Sequence, residues 1–183
     1  DDSATVFFST LAILLSLQVY RRPTARHQAL AGAAIGLSIS TKYYLGLLGL
    51  LLVFIDLLVL WRLRREGLGA LRIALGNAAL AGVTALAVFA LTTPYFFIDL
   101  EMARANLGSE LRTTHLGADG LSSLGNLRYY LLQAMPAELS WPRAVLIALG
   151  ALFCLVGRPR RVESLLLLGL ALAHLIAISF ISP

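Results

Sequence analysis

Lys42 is the residue whose type and place in the chain most suggest chemistry. It is the only lysine in the sequence, and it interrupts the apolar run from residue 29 to residue 65. Ionisable side chains in or against a membrane are costly, so they indicate function. An ammonium group at the outer mouth of two short spans would suit an anionic phosphate headgroup. The alternative, a lysine that reaches the membrane surface and binds nothing, stays open.

The first two residues offer a carboxylate at the same membrane face. Asp1 and Asp2 come directly before an apolar segment. Asp2 would therefore lie at the start of a span, where it could act as an acidic catalytic group or orient a metal ion. An exposed acid without a further role is the alternative. No cofactor is expected, and a divalent metal ion is left open.

Three more polar side chains follow the fourth apolar segment and would project from the membrane. They are Arg104, Arg112 and His115. A solvated surface is the ordinary interpretation of such residues. Together with Lys42, however, they would form a site for an anion.

Other polar residues within apolar segments have simpler interpretations. Asp56 is expected to reach the arginines at the inner end of its span, and His174 to be a hydrogen-bonded packing residue rather than a proton relay. Cys154 is the single cysteine, which excludes a disulfide framework and indicates a buried, inert thiol. The sequence shows no glycine-rich phosphate loop and no paired cysteines or histidines at metal-binding spacing.

Composition predicts the class of protein. The mean hydropathy is +0.81, 58% of the residues are hydrophobic and 14% are charged, whereas soluble domains carry about 25% charged residues. We therefore predict an all-helical polytopic membrane protein that forms a single transmembrane domain over residues 1–183. The net charge of +5 fits basic loops on the cytoplasmic side of a membrane, and no nucleic-acid partner is expected.

The elements that would position the polar residues are six apolar spans. The run of residues 29–65 is too long for one span of about 20 residues and barely enough for two. A single crossing would also place two arginine clusters on opposite sides of the membrane, against the bias of short basic loops. We therefore interpret the run as a hairpin that turns at Lys42. The predicted spans cover residues 4–20, 28–41, 43–61, 73–91, 144–156 and 164–181, with both chain ends outside.

Residues 94–142 form a predicted external segment, which is too long to be a simple connection. Apolar and polar side chains separate over residues 98–111, a pattern typical of an amphipathic helix on the membrane surface. A second short surface helix over residues 126–133 would place Tyr129 and Tyr130 at headgroup depth.

Three stretches in one order suggest a family. They are Asp-Asp-Ser-Ala-Thr-Val-Phe-Phe at residues 1–8, Gly-Ala-Ala-Ile-Gly-Leu-Ser-Ile-Ser-Thr-Lys-Tyr at 32–43, and Thr-Pro-Tyr-Phe-Phe-Ile-Asp-Leu at 93–100, followed by His-Leu-Gly at 115–117. In this order they resemble the C-type polyprenyl-phosphate-sugar glycosyltransferases. The likeness is to the protein O-mannosyltransferase-like membrane proteins of family 39 and their bacterial relatives that modify lipids.

The resemblance implies transfer of a sugar from a polyprenyl phosphate to a hydroxyl of a glycan, lipid or protein at the outer face of a bacterial plasma membrane. Asp2 would match the family's second acidic position. Lys42 would match the end of its small-residue span, with Tyr43 beside it against the substrate. The family's principal catalytic aspartate lies upstream of the first residue here. We therefore expect an internal piece of a longer enzyme that is inactive alone.

A fragment of a transporter or channel is the competing function. Lys42, Asp56 and His174 would then mark an ion path through short, broken spans. The external amphipathic segment favours the enzyme, because an enzyme with a lipid substrate needs such a surface. A membrane scaffold without a site would explain the spans but would leave the ordered stretches to chance.

Overall fold

The computed structural model describes residues 2–110, 122–156 and 161–181. Over these residues the secondary structure is entirely helical, which confirms the predicted all-α class. The chain divides into two compact units, Asp1–Ala103 and Arg104–Pro183, and each is described by itself.

The first unit is built from four long helices and a short one. Their bounds are α1 (Asp2–Arg21), α2 (Ala25–Thr41), α3 (Leu47–Leu63), α4 (Leu68–Thr92) and α5 (Tyr95–Ile98); α6 (Leu100–Glu110) begins here and continues into the second unit. A 3-10 turn, Tyr43–Gly46, joins α2 to α3. This turn occupies the first residues of the predicted span 43–61, so the α-helical part of that segment begins only at Leu47.

Small side chains let α2 and α4 approach until their backbones touch. A Cβ atom added to Gly32 would overlap the carbonyl oxygen of Ala81. One added to Gly36 would lie 2.5 Å from the carbonyl oxygen of Ala85 and 3.1 Å from Cβ of Val88. Glycines four residues apart therefore face alanines four residues apart, an arrangement that membrane helices use for close packing.

Hydrogen bonds at both ends of this contact show that α2 and α4 run parallel. At one end, the hydroxyl groups of Ser40 and Thr92 lie 2.5 Å apart. At the other end, Nδ2 of Asn77 donates to the carbonyl oxygen of Pro23 at 3.2 Å. Because α3 connects two parallel helices through short turns, it returns in the opposite direction.

The remaining helix of this unit, α1, runs antiparallel to α2. Only three residues separate α1 from α2, and Thr24 begins α2 by accepting a hydrogen bond from the backbone N–H of His27 at 3.4 Å. The guanidinium group of Arg62 lies over the ring of Tyr20 at 5.8 Å, which brings the last turns of α3 and α1 together. One end of the unit therefore carries the arginine-rich connections, and the other carries the Lys42 turn.

The second unit contains shorter helices followed by two apolar ones. After α6 come α7 (Ser123–Tyr129), a π-helical turn (Tyr130–Ala134), α8 (Met135–Leu139), α9 (Trp141–Val156) and α10 (Arg161–Ile181). Pro136 lacks the N–H that a regular α-helix needs at that position. The fully buried Asn126 donates from Nδ2 to the carbonyl oxygen of Ser179 at 3.4 Å, which links α7 to α10.

The predicted external helices differ in detail from the observed ones. Asp99 interrupts the predicted helix 98–111, because its carboxylate accepts a hydrogen bond from the backbone N–H of Met102 at 3.0 Å and begins α6 there. Leu111, the predicted last residue, lies outside the described residues. The predicted helix 126–133 begins earlier, at Ser123, and passes into the π-helical turn.

Two of the described helices are long and apolar enough to cross a membrane, Ser3–Arg21 and Leu68–Thr92. Shorter apolar helices cover Trp141–Phe153 and Val162–Ala177. This agrees with the membrane protein that composition predicts.

The close contact between α2 and α4 predicts that one added methyl group lowers the stability of the fold. Gly32→Ala should lower the free energy of unfolding by about 1–3 kcal/mol, because overpacking outweighs the gain of up to about 1 kcal/mol in helix propensity. The control is Gly76→Ala in α4, where an added Cβ meets no atom within 4 Å. Unfolding in sodium dodecyl sulfate, followed by circular dichroism, measures both. Equal stability of the two variants would contradict the observed helix contact.

Candidate functional site

Lys42 lies in an exposed turn directly after α2. Its backbone is extended, with φ −152° and ψ 124°, and its N–H donates to the carbonyl oxygen of Ser38 at 3.2 Å. The hydroxyl of Ser40 donates to the carbonyl of Gly36 at 2.9 Å, and that of Thr41 to the carbonyl of Ser38 at 2.7 Å. These hydrogen bonds from side chains to the backbone compete with the backbone hydrogen bonds of a continuing helix, which explains why α2 ends at Thr41.

Four aromatic side chains pack next to this turn and form what we call the aromatic cluster. Tyr43 lies against Phe89 and Phe96, with ring centroids 6.4 and 5.8 Å apart. Phe89 contacts Phe96 at 5.1 Å and Phe97 at 5.7 Å. Most of these pairs meet edge to face, the favoured geometry for aromatic rings. The cluster joins the turn after α2 to the end of α4 and to α5.

The turn and the aromatic cluster together have a buried side and an exposed side. Phe89 is 9% exposed, whereas Tyr43 is 41% exposed and Tyr95 is 77% exposed. The bond between Ser40 and Thr92 fixes the end of α2 to the end of α4 beside the cluster. The site therefore places an exposed lysine next to a partly exposed aromatic surface.

The structure brings together only part of the predicted site. Lys42 and Tyr43 share the turn, and α1 begins at the same end of the unit with Asp2, whose side chain lies outside the described part of the chain. Arg104 is exposed on α6 in the second unit. Arg112 and His115 lie outside the described residues. The roles of all six residues, including Lys42 and Tyr43, stay predictions of the sequence.

The sequence interpretation did not identify the other members of the aromatic cluster. Phe96 and Phe97 belong to the Tyr-Phe-Phe run that follows Pro94, and Phe89 lies one turn before the end of α4. The signal that could have found them is the density of aromatic residues around a helix end. The contacts of Tyr43 with Phe89 and Phe96 join positions more than forty residues apart, which no local pattern shows.

A second polar feature lies inside the first unit, between α2, α3 and α4. Gln28 is 1% exposed, and its Nε2 donates to Oδ1 of Asp56. Among the residues that the structure describes, Oε1 of Gln28 has no hydrogen-bond partner. Asp56 was expected to reach the arginines at the end of its helix. The described hydrogen bond instead joins it to the buried amide on α2.

Asp56 also borders a cavity of about 190 Å³ that small residues keep open. Gly32, Gly49 and Gly82 are among its lining residues, one from each of the three helices. A carboxyl group beside such a space is the kind of intramembrane feature that transporters use for ions. His174, the other proposed ion-path residue, has Nδ1 3.3 Å from the carbonyl oxygen of Leu170 within α10. That contact fits a packing role.

Comparisons with family models, with curated proteins and with solved structures find no match to this chain.

The pair of Gln28 and Asp56 should behave as a coupled unit. Gln28→Leu removes the amide donor and should cost about 1–3 kcal/mol, whereas Gln28→Leu combined with Asp56→Leu should recover most of that loss, because both polar groups are then absent. Unfolding in sodium dodecyl sulfate measures the double-mutant cycle. The exposed Gln18 on α1 gives the control: Gln18→Leu should change stability by less than about 0.5 kcal/mol. Simple additivity of the Gln28 and Asp56 variants would show that the pair is not coupled.

Proposed function

We propose that this chain is part of a membrane glycosyltransferase that moves a sugar from a polyprenyl-phosphate donor to an acceptor hydroxyl at the outer membrane face. One observation carries the proposal: Lys42 is exposed beside the aromatic cluster, at the end of the first unit opposite its arginine-rich connections. A phosphate attached to an isoprenoid chain needs a cation and an adjacent apolar surface. This end of the unit has both.

The proposed membrane arrangement has six spans with the arginine-rich end inside. In the first unit, α1 to α4 alternate in direction, and the basic connections meet at one end through the contacts of Arg62 with Tyr20 and of Asn77 with Pro23. Short basic loops stay on the cytoplasmic side. Lys42 would then face outward, where a flipped lipid-linked sugar would be presented.

The proposed chemistry divides between a base and a cation. The bond between the anomeric carbon and the donor phosphate oxygen breaks, and a bond from that carbon to the acceptor oxygen forms. Asp2 would take the proton from the acceptor hydroxyl, and Lys42 would stabilise the negative charge on the departing phosphate. Tyr43 and its aromatic neighbours would contact the first isoprene units or the sugar. Arg104, Arg112 and His115 are proposed as further substrate-binding residues from the sequence alone.

A fragment of a transporter or channel is the second candidate, and the pair of Gln28 and Asp56 favours it. A half-buried carboxyl group beside a cavity between three helices is a reasonable ion or proton site. The two functions separate experimentally. Loss of a proton or ion flux in reconstituted vesicles after Asp56→Asn, with donor binding intact, would favour the transporter.

The membrane arrangement predicts which exposed positions a reagent can reach. In a background with Cys154→Ser, Tyr95→Cys should react in intact cells with a thiol reagent that cannot cross membranes, whereas Arg64→Cys should react only after the membrane is opened. Both side chains are exposed in the first unit, so sidedness alone distinguishes them. Labelling of Arg64→Cys in intact cells would end the proposed topology.

The donor site predicts separate effects for Lys42 and Asp2. In the full-length protein, Lys42→Met should weaken binding of farnesyl phosphate, a short donor analogue, by about tenfold or more, and Lys42→Arg should bind at an intermediate level because a planar fork replaces a point charge. Asp2→Asn should lower sugar transfer while leaving farnesyl phosphate binding unchanged, as expected for a group that acts mainly in the transition state. Calorimetric titration measures the binding.

The control for Lys42→Met is Arg143→Met, because Arg143 is also exposed and is not among the proposed substrate-binding residues. It should bind farnesyl phosphate like the unmodified protein. Full affinity and full transfer activity in Lys42→Met would remove Lys42 from the site and leave it as a lysine at a helix end.

A further inference from the structure

The end of the first unit opposite Lys42 concentrates positive charge on exposed side chains. We call this surface the arginine end. The connections at this end, residues 22–24 and 64–67, carry one carboxylate, that of Glu66. All the described arginines at this end are exposed. They are Arg21, Arg22, Arg26, Arg62, Arg64, Arg65 and Arg72.

Two of these guanidinium groups lie over aromatic rings. The carbon of the Arg64 guanidinium is 5.0 Å from the ring centre of Trp61, and that of Arg62 is 5.8 Å from the ring centre of Tyr20. A cation–π contact of this kind restricts where the guanidinium group can lie. The planar fork of a guanidinium group can bind two phosphate oxygens at once.

Exposed apolar side chains border the same charges. Trp61 is 62% exposed, Leu68 is 74% exposed and Ile73, next to Arg72, is 67% exposed. Tryptophan prefers the headgroup depth of a bilayer. A dissolved phosphate or a nucleic acid would match the charges but would leave this apolar border in water. A phospholipid matches both, because its phosphate lies directly above its acyl chains.

We propose that the arginine end is a binding surface for anionic phospholipid headgroups, in which Arg62 and Arg64 hold the phosphate. The bound lipid would fix the connections after α1 and α3 at the membrane surface. This surface lies within the first unit, at the end opposite the proposed donor site. It depends on the membrane location of the chain and not on glycosyl transfer.

Trp61 supplies a local reporter for the test. In the 183-residue chain with Trp141→Phe, Trp61 is the only tryptophan. The protein in an uncharged detergent is titrated with brominated phosphatidylglycerol, whose acyl chains quench tryptophan, and in parallel with brominated phosphatidylcholine. Each variant is measured against its own lipid-free fluorescence. Phosphatidylglycerol should quench Trp61 at a much lower mole fraction than phosphatidylcholine does.

Arg62→Gln with Arg64→Gln should raise the half-saturating concentration of phosphatidylglycerol about 25-fold, since each arginine near an anionic surface contributes about fivefold. The control pair, Arg128→Gln with Arg143→Gln, removes two exposed arginines that do not belong to the arginine end and should change this concentration less than about twofold. Arg62→Lys with Arg64→Lys keeps the charge but loses the planar fork, so an intermediate affinity is expected. Circular dichroism before titration checks that each variant keeps its helices.

Three outcomes would overturn the proposal. The first is equal quenching by the two lipids, and the second is equal affinity of the glutamine pair and the control pair. The third is loss of quenching when inorganic phosphate replaces chloride at the same ionic strength, because the surface would then prefer a dissolved anion. Full affinity of the lysine pair would reject binding of the phosphate through the guanidinium forks and leave charge alone as its cause.

Discussion

The backbone contact between α2 and α4 is the constraint on which the first unit depends. There is no room for a Cβ atom at Gly32 or Gly36, because the carbonyl oxygens of Ala81 and Ala85 lie too close. In a membrane, helices gain little from hiding apolar surface, so close packing of small residues has to provide much of the association. A change of one methyl group at this contact therefore affects the position of everything attached to either helix end.

The candidate site is a consequence of that contact. Because α2 and α4 run parallel and in close register, their last turns end side by side, and Ser40 meets Thr92. The turn that follows α2 then places Lys42 outward, while Tyr43 packs against Phe89 from α4. The aromatic cluster thus needs no special loop. It follows from two helices that end at the same level.

The sequence predicted the helical class, the turn at Lys42 and the segments that became α1 to α4, because apolar length and helix-breaking residues are local signals. It did not predict the pair of Gln28 and Asp56 or the aromatic cluster. Both depend on side chains from different helices, and their partners are set by helix rotation and register rather than by composition. The sequence did not predict the break at Asp99 for another reason. The amphipathic pattern of residues 98–111 is continuous, and the start of a new helix is marked by the hydrogen bond from the N–H of Met102 to the carboxylate of Asp99.

The distribution of charge gives the first unit two different ends. A lysine directly after α2 is favourable for a simple reason, since a cation complements the negative end of a helix dipole. The dipole accounts for a charge there, but not for the exposed aromatic surface next to it, which costs free energy if it faces only water. At the other end, guanidinium groups over aromatic rings likewise lie beside exposed apolar side chains. Both ends therefore present a cation together with an apolar border. Both proposals rest on this combination, because a phosphate carried on a lipid has a charge for the cation and a chain for the border.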